Sequence, residues 1–134
     1  MESNYHSFED LLIWQEGMDL CDQIYNALKT CHDYGLRNQM ERSAVSIPSN
    51  ISEGFELNTN RAFIRHLFIS KGSGGELRTQ LYIAIKRKYI SPELGNELIL
   101  KTKRLGGMIF NFIAARRRQN RFTIIKIIFP FIKI

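Results

Sequence analysis

Four groups of residues hold side chains that could do chemistry. Cys31, His32 and Asp33 put a thiol, an imidazole and a carboxylate in succession, the donor types of a transition-metal site. Three consecutive residues seldom converge on one ion, and no second pair completes a zinc spacing, so incidental use is the better reading. "KGSGGEL", residues 71–77, has the glycines of a phosphate-binding loop. It lacks the Gly-Lys-Ser/Thr ending and follows no strand, which removes the geometry that such a cradle needs. His6 and His66 have no nucleophile at a spacing that implies a triad, and no Glu-x-x-His pair supplies a di-metal centre. We therefore expect no catalytic, cofactor-binding or metal-binding residues, and a protein that is not an enzyme.

The fourth group is cationic. Lys86, Arg87 and Lys88 end one predicted helix, Arg116, Arg117 and Arg118 with Arg121 end another, and Lys101, Lys103 and Arg104 lie between. Cations at helix C-termini complement the helix dipole, which alone accounts for the two end clusters. Their other use is contact with the phosphates of RNA or DNA. In an antiparallel bundle the two ends lie apart, so a monomer has no single basic face. A ring-shaped oligomer would repeat each cluster around an axis and concentrate it.

Charge is divided along the chain. Residues 1–67 hold 5 Lys/Arg against 10 Asp/Glu, and residues 68–134 hold 14 against 3, which together give the net +6. The division suits an anionic partner for the second half, self-association between unlike faces, or compensation as the halves pack together. At 134 residues the chain is one domain that buries a core without staples. Cys21 and Cys31 read as reduced thiols of a cytoplasmic protein. The polar N-terminus does not read as a signal peptide, and no apolar run approaches the roughly 18 residues of a membrane span.

Helices must position these groups. Leu11, Trp14, Met18, Cys21, Tyr25 and Leu28 recur at three and four residue steps, a bundle seam that predicts a helix from about Phe8 to Lys29. A turn at "TCHDYG" follows. Leu36, Met40, Ala44, Ile47, Ile51 and Phe55 form the second stripe, and Phe63, Leu67, Ser70, Gly74, Leu77, Leu81 and Ala84 the third, over Asn60 to about Lys88. "SPEL" opens a fourth helix with Ser91 as cap and Pro92 at its first position, and Leu98, Thr102, Leu105, Ile109 and Phe112 are its stripe. Short linkers make consecutive helices antiparallel neighbours. The expected fold is an all-α, antiparallel up-and-down four-helix bundle over residues 1–120.

Two stretches depart from this grammar. "RSAVSIPSNISEGF" keeps its apolar phase through Pro48, so we expect one helix bent there rather than a fresh start capped by Asn50 and Glu53. Ser43, Asn50 and Gly54 on this helix and Ser70, Ser73 and Gly74 on the next are small or polar, and would let the two helices pack closely. Asn50 would fix their register. Glu53 and Glu76 would lie near the contact, with Arg42 as a counter-charge. The apolar tail, residues 121–134, is β-branched and contains Pro130, which argues against a regular helix. It packs on its own bundle or docks in a neighbouring subunit or partner protein.

"FEDLLIWQEGMDLCDQIY", "RSAVSIPSNISEGF", "FIRHLFISKGSGGELRTQLYIA" and "YISPE" occur in this order. Together they resemble the bacterial four-helix bundle proteins called 23S-rRNA intervening-sequence proteins. Arg42, Ser46, Pro48, Asn50, Glu53, Gly54, Gly72, Ser73, Glu76 and Leu77 match the recurrent motif of that family, where they imply fold and assembly determinants. The resemblance implies a homo-oligomer, with a pentameric ring favoured, and a fold similar to the accessory protein of diversity-generating retroelements. Gly74, followed by Gly75, stands where a larger apolar residue is expected after "KGS", which leaves the contact of the second and third helices either closer or looser than in relatives, and the tail exceeds the usual family length. The functional expectation is a non-enzymatic scaffold that binds RNA or DNA through its basic clusters. The alternative is a protein-interaction module that uses the acidic helices and the apolar tail. No cofactor and no membrane enter either reading.

Overall fold

The computed structural model describes residues 5–131 of the chain. They form four helices, α1 (Leu12–Ala27), α2 (Tyr34–Glu56), α3 (Asn60–Lys86) and α4 (Pro92–Ile128), preceded by a 3-10 turn at Phe8–Asp10, and include no strand. Each helix packs on its sequence neighbour, and α1 closes the bundle against α4. The linkers are short, so the helices alternate in direction. Among the described residues, no helix is long and apolar enough to cross a membrane.

Caps define the starts. Asp33 accepts the Leu36 amide at 3.1 Å, Thr59 the Ala62 amide at 3.2 Å, and Ser91 the Leu94 amide at 3.2 Å with Pro92 following, as "SPEL" predicts. The Asp33 carboxylate also accepts the Tyr89 hydroxyl at 2.9 Å, which ties the α1–α2 linker to the α3–α4 linker. The Leu36 amide first, and then Tyr89, hold this carboxyl below its usual range. Cys21 and Cys31 are free thiols.

The first helix differs from expectation in extent and in face. Leu11 is extended between the 3-10 turn and α1, so the predicted run from Phe8 is broken there. α1 buries Ile13, Gly17, Leu20 and Ile24, whereas Met18 and Tyr25 of the expected seam are exposed. Both rows are largely apolar, and the row with Gly17 wins because it fits against α2, where Ile47 and Pro48 face that glycine. The stripes of α2, α3 and α4 are buried as predicted, apart from Leu36, Phe55, Gly74 and Phe112, which are half-buried. α2 runs unbroken through Pro48, which is itself buried.

α4 exceeds its expected length. Its 37 residues span about 55 Å, against about 40 Å for the 27 of α3. Arg116 is its last buried position, and every described side chain from Arg117 onward is exposed. The isoleucine-rich stretch after Arg121, which was expected not to form a regular helix, therefore continues α4 to Ile128. Extending an existing helix avoids the cost of nucleation, and this outweighs the modest propensity penalty of β-branched residues. The helix stops just before Phe129, whose position ahead of Pro130 disfavours helical backbone.

Candidate nucleic-acid interface

The α2–α3 contact is held by a chain of polar side chains. The hydroxyls of Ser46 and Ser73 meet at 2.7 Å across the two helices. Asn50 donates to the carbonyl and the hydroxyl of Ser46, each at 2.9 Å, and its Oδ1 lies 3.0 Å from His66 Nδ1. Because the Asn50 amide nitrogen faces Ser46, its oxygen faces the imidazole, and the proton resides on His66 Nδ1. Glu53 lies 3.8 Å from the same nitrogen. Ser70, fully buried, donates to the Ile47 carbonyl at 2.8 Å. Gly54 completes the contact, since a β-carbon there would lie 2.6 Å from His66 Cβ and 3.3 Å from Phe63 Cα. Close packing of α2 on α3 is thus present. Gly74 takes little part in it, and Arg42 is exposed without an ion pair among the described residues. Glu76 accepts from Gln80 at 3.4 Å.

The glycines of "KGSGGEL" open instead toward α4. Phe68, Lys71, Gly72, Gly75 and Arg78 recur on one row of α3, and Lys103, Gly106, Gly107 and Phe110 on one row of α4. Together with Gly74 and Thr102 they line a groove of about 560 Å³. Cβ atoms built at Gly72, Gly75, Gly106 and Gly107 would meet nothing within 4 Å. The antiparallel run of the helices sets the two phenylalanines toward one end of the groove, and Arg78 with Lys103 toward the other. Arg117 reaches back over the Phe68 ring, 4.9 Å from its centroid. Among the described residues, no carboxylate lines the groove.

The ten basic residues expected to contact nucleic acid are dispersed. Lys86, Arg87 and Lys88 lie exposed where α3 ends, and Arg118 and Arg121 lie exposed on the outer part of α4. Hydrogen bonding to Tyr89, with the charge of Asp33 as a smaller cause, raises the pKa of Arg87 further. Lys101 bonds Gln23 and lies 3.6 Å from Glu97, and Arg104 pairs with Glu16 at 3.4 Å, so both are engaged with carboxylates or amides on the α1 side. Lys103 alone of its trio enters the groove. Arg116 is buried: its Nε donates to Asn60 Oδ1 at 2.9 Å and its guanidinium stacks 5.4 Å from the Phe63 centroid. Lys71 and Arg78, not anticipated as site residues, supply most of the groove's charge. Their seven-residue separation was the available signal, but only the face of α3 turned to α4 gives it meaning.

Fold and site together define an up-and-down four-helix bundle protein, with one helix pair locked by polar groups and the next left open. The chain belongs to the family of the 23S rRNA-intervening sequence protein, whose description matches residues 9–111. Among solved structures it is similar to a protein of unknown function from the S23 ribosomal protein family of Bacteroides thetaiotaomicron VPI-5482. That likeness has a TM-score of 0.73 at 21% identity and covers 76% of this chain and 98% of that one, a likeness of fold. No curated protein matches the chain.

Proposed function

We propose that the protein is a non-enzymatic scaffold that assembles as a homo-oligomer, with a pentameric ring favoured, and binds RNA or DNA along the α3–α4 groove. The groove itself carries the reading. Five glycines inside two helices cost about 1 kcal/mol each relative to alanine, a large share of a net stability of roughly 5–15 kcal/mol. Among the described residues nothing fills the space beside Gly72, Gly75, Gly106 and Gly107. A phosphate backbone entering it would meet Lys71, Arg78 and Lys103 without repulsion from a carboxylate, and Phe110 offers a ring for base stacking. Repetition around a ring would multiply these contacts, with the exposed cations at 86–88, Arg118 and Arg121 as outlying ones.

The test is anisotropy of a short labelled RNA hairpin, and of a DNA strand of equal length, across a salt series. Three or four phosphate contacts give a log–log slope of about −3. Reversing Arg78 and Lys103 to Glu together should weaken binding about tenfold or more by removing and repelling such contacts. Lys101→Ala and Arg104→Ala should leave it within about twofold, because those side chains serve the α1 side. Salt-independent binding, or binding that survives the double reversal, would sink the groove as the contact surface.

A second reading rests on the outer part of α4, where Ile124, Ile125, Ile127, Ile128, Phe129 and Phe131 are all exposed. Such a surface suits a protein partner. Deleting residues 121–134 separates the readings: lost partner capture with intact nucleic-acid binding favours a protein-interaction module.

A further inference from the structure

The row of α1 that the core does not take is a second seam. Trp14, Met18, Cys21 and Tyr25 follow one another at three and four residue steps, and Met18 and Tyr25 are exposed while the row with Gly17 is buried. On the neighbouring α2, Val45 is exposed one turn beyond Glu41. Carboxylates border this seam. Burial first, and then the charges of Asp22 and Glu41, push the Cys21 thiol up, and burial followed by Glu41 does the same to the Tyr25 hydroxyl. Arg37 pairs with Glu41 at 2.9 Å, whereas Asp22 has no ion pair among the described residues. Residues 5–28 carry five Asp/Glu and no Lys or Arg.

The outer part of α4 has the opposite charge and a seam of its own. Residues 117–128 carry four Lys/Arg and no Asp or Glu. Arg121, Ile124, Ile125 and Ile128 recur at three and four residue steps on one face, and all four are exposed. The α1 of the same chain is out of reach of this face. The Tyr5 ring lies 6.3 Å from that of Phe112, and α1 then runs back along α4, with Glu16 at Arg104 and Gln23 at Lys101, away from residues 117–128.

We infer that the outer part of α4 docks on the Met18 and Tyr25 face of α1 in a second copy of this chain, with its isoleucines on the apolar row and Arg118 and Arg121 toward Asp22. The inference rests on the homo-oligomer reading and names the contact that builds the oligomer. Two amphipathic helices joined by their apolar rows, with opposite charges along the edges, select each other as coiled-coil partners do. Because the two surfaces differ, the contact is heterologous and passes from copy to copy, as a closed ring requires.

The experiment measures mass in solution by sedimentation equilibrium, on full-length chains well above the concentration at which the parent assembles. Ile124→Gln with Ile128→Gln disables the docking helix, and Met18→Lys with Tyr25→Lys disables the face that receives it. All four positions are exposed, so each variant should keep the parent's helicity by circular dichroism. Either variant alone should fall from the parent oligomer to the mass of one chain. Mixed in equal amounts, the two should recover a two-chain species, because each supplies the surface that the other lacks. A parent that is itself monomeric would overturn this inference and the homo-oligomer reading together. An oligomeric parent whose variants keep its mass, or whose variants become monomers that do not combine, would overturn the docking contact and leave the homo-oligomer reading standing. Loss of mass in the isoleucine variant alone would overturn it too, since the outer helices would then cover one another.

Discussion

The two long helix contacts of this bundle use the same residue type in opposite ways. Between α2 and α3, Gly54 makes room for the backbone and side chain of the facing helix, and the hydroxyls and amide around it bond across the gap. Between α3 and α4, Gly72, Gly75, Gly106 and Gly107 make room that no described residue occupies. A glycine inside a helix costs the same conformational entropy in either place. What differs is whether packing among the described residues offsets that cost.

The sharpest way to break the comparison is to put a methyl group at each kind of glycine. In Gly54→Ala the new carbon would lie 2.6 Å from His66 Cβ, an atom fixed to the helix backbone that cannot swing aside. The helices must separate, and overpacking of this kind costs roughly 1–3 kcal/mol, with the upper end expected here. Urea unfolding of the variant should show a clearly lower midpoint. An unchanged midpoint would mean that α2 and α3 are not held as closely as the contact requires.

Asn50→Leu removes the polar part of the same contact while keeping its volume. It leaves the His66 Nδ1 proton without its acceptor, at a cost of about 2 kcal/mol, while the Ser46 hydroxyl keeps Ser73. The bundle should keep its helicity. Loss of the pinning hydrogen bonds should blur register or assembly, read as a broadened sedimentation profile and multiple amide signals. A single sharp species with native stability would show that sterics alone define this interface.

The two contacts were not equally legible from the residues. "RSAVSIPSNISEGF" exposes its logic because the small and polar positions fall beside an unbroken apolar stripe, so a helix with a close neighbour follows from period alone. The groove is a different case. Lys71, Gly72, Gly75 and Arg78 are plainly spaced on one row, but the row belongs to a site only once α4 lies beside it with Lys103, Gly106 and Gly107 facing it. The face of α1 was ambiguous for a related reason: two adjacent rows are both apolar, and the choice depends on Gly17 meeting Pro48. Arg116 looked like part of a surface cluster because its neighbours Arg117 and Arg118 are exposed, and one helical step carries it into the core. The outer part of α4 was misjudged from its β-branched composition, where continuation of a helix already formed prevailed.

The smallest expected effect gives the cleanest contrast, because it carries the opposite sign. A β-carbon at Gly75 or Gly107 meets no atom within 4 Å, so alanine at either position should be accommodated without any shift. The folded state then loses nothing and the unfolded chain loses freedom, and each substitution should stabilise the protein by about 1 kcal/mol. If the groove is a contact surface, the gain has a cost elsewhere. Gly75→Leu, which fills the groove from its floor, should fold at least as well as the parent and bind RNA more weakly, read by the same unfolding and anisotropy measurements. Stabilisation with undiminished binding would leave the glycines without a use at this surface and return the basic clusters at the bundle ends to consideration. A loss of stability would show that the open space is filled by a neighbouring subunit, and would make the groove an assembly contact.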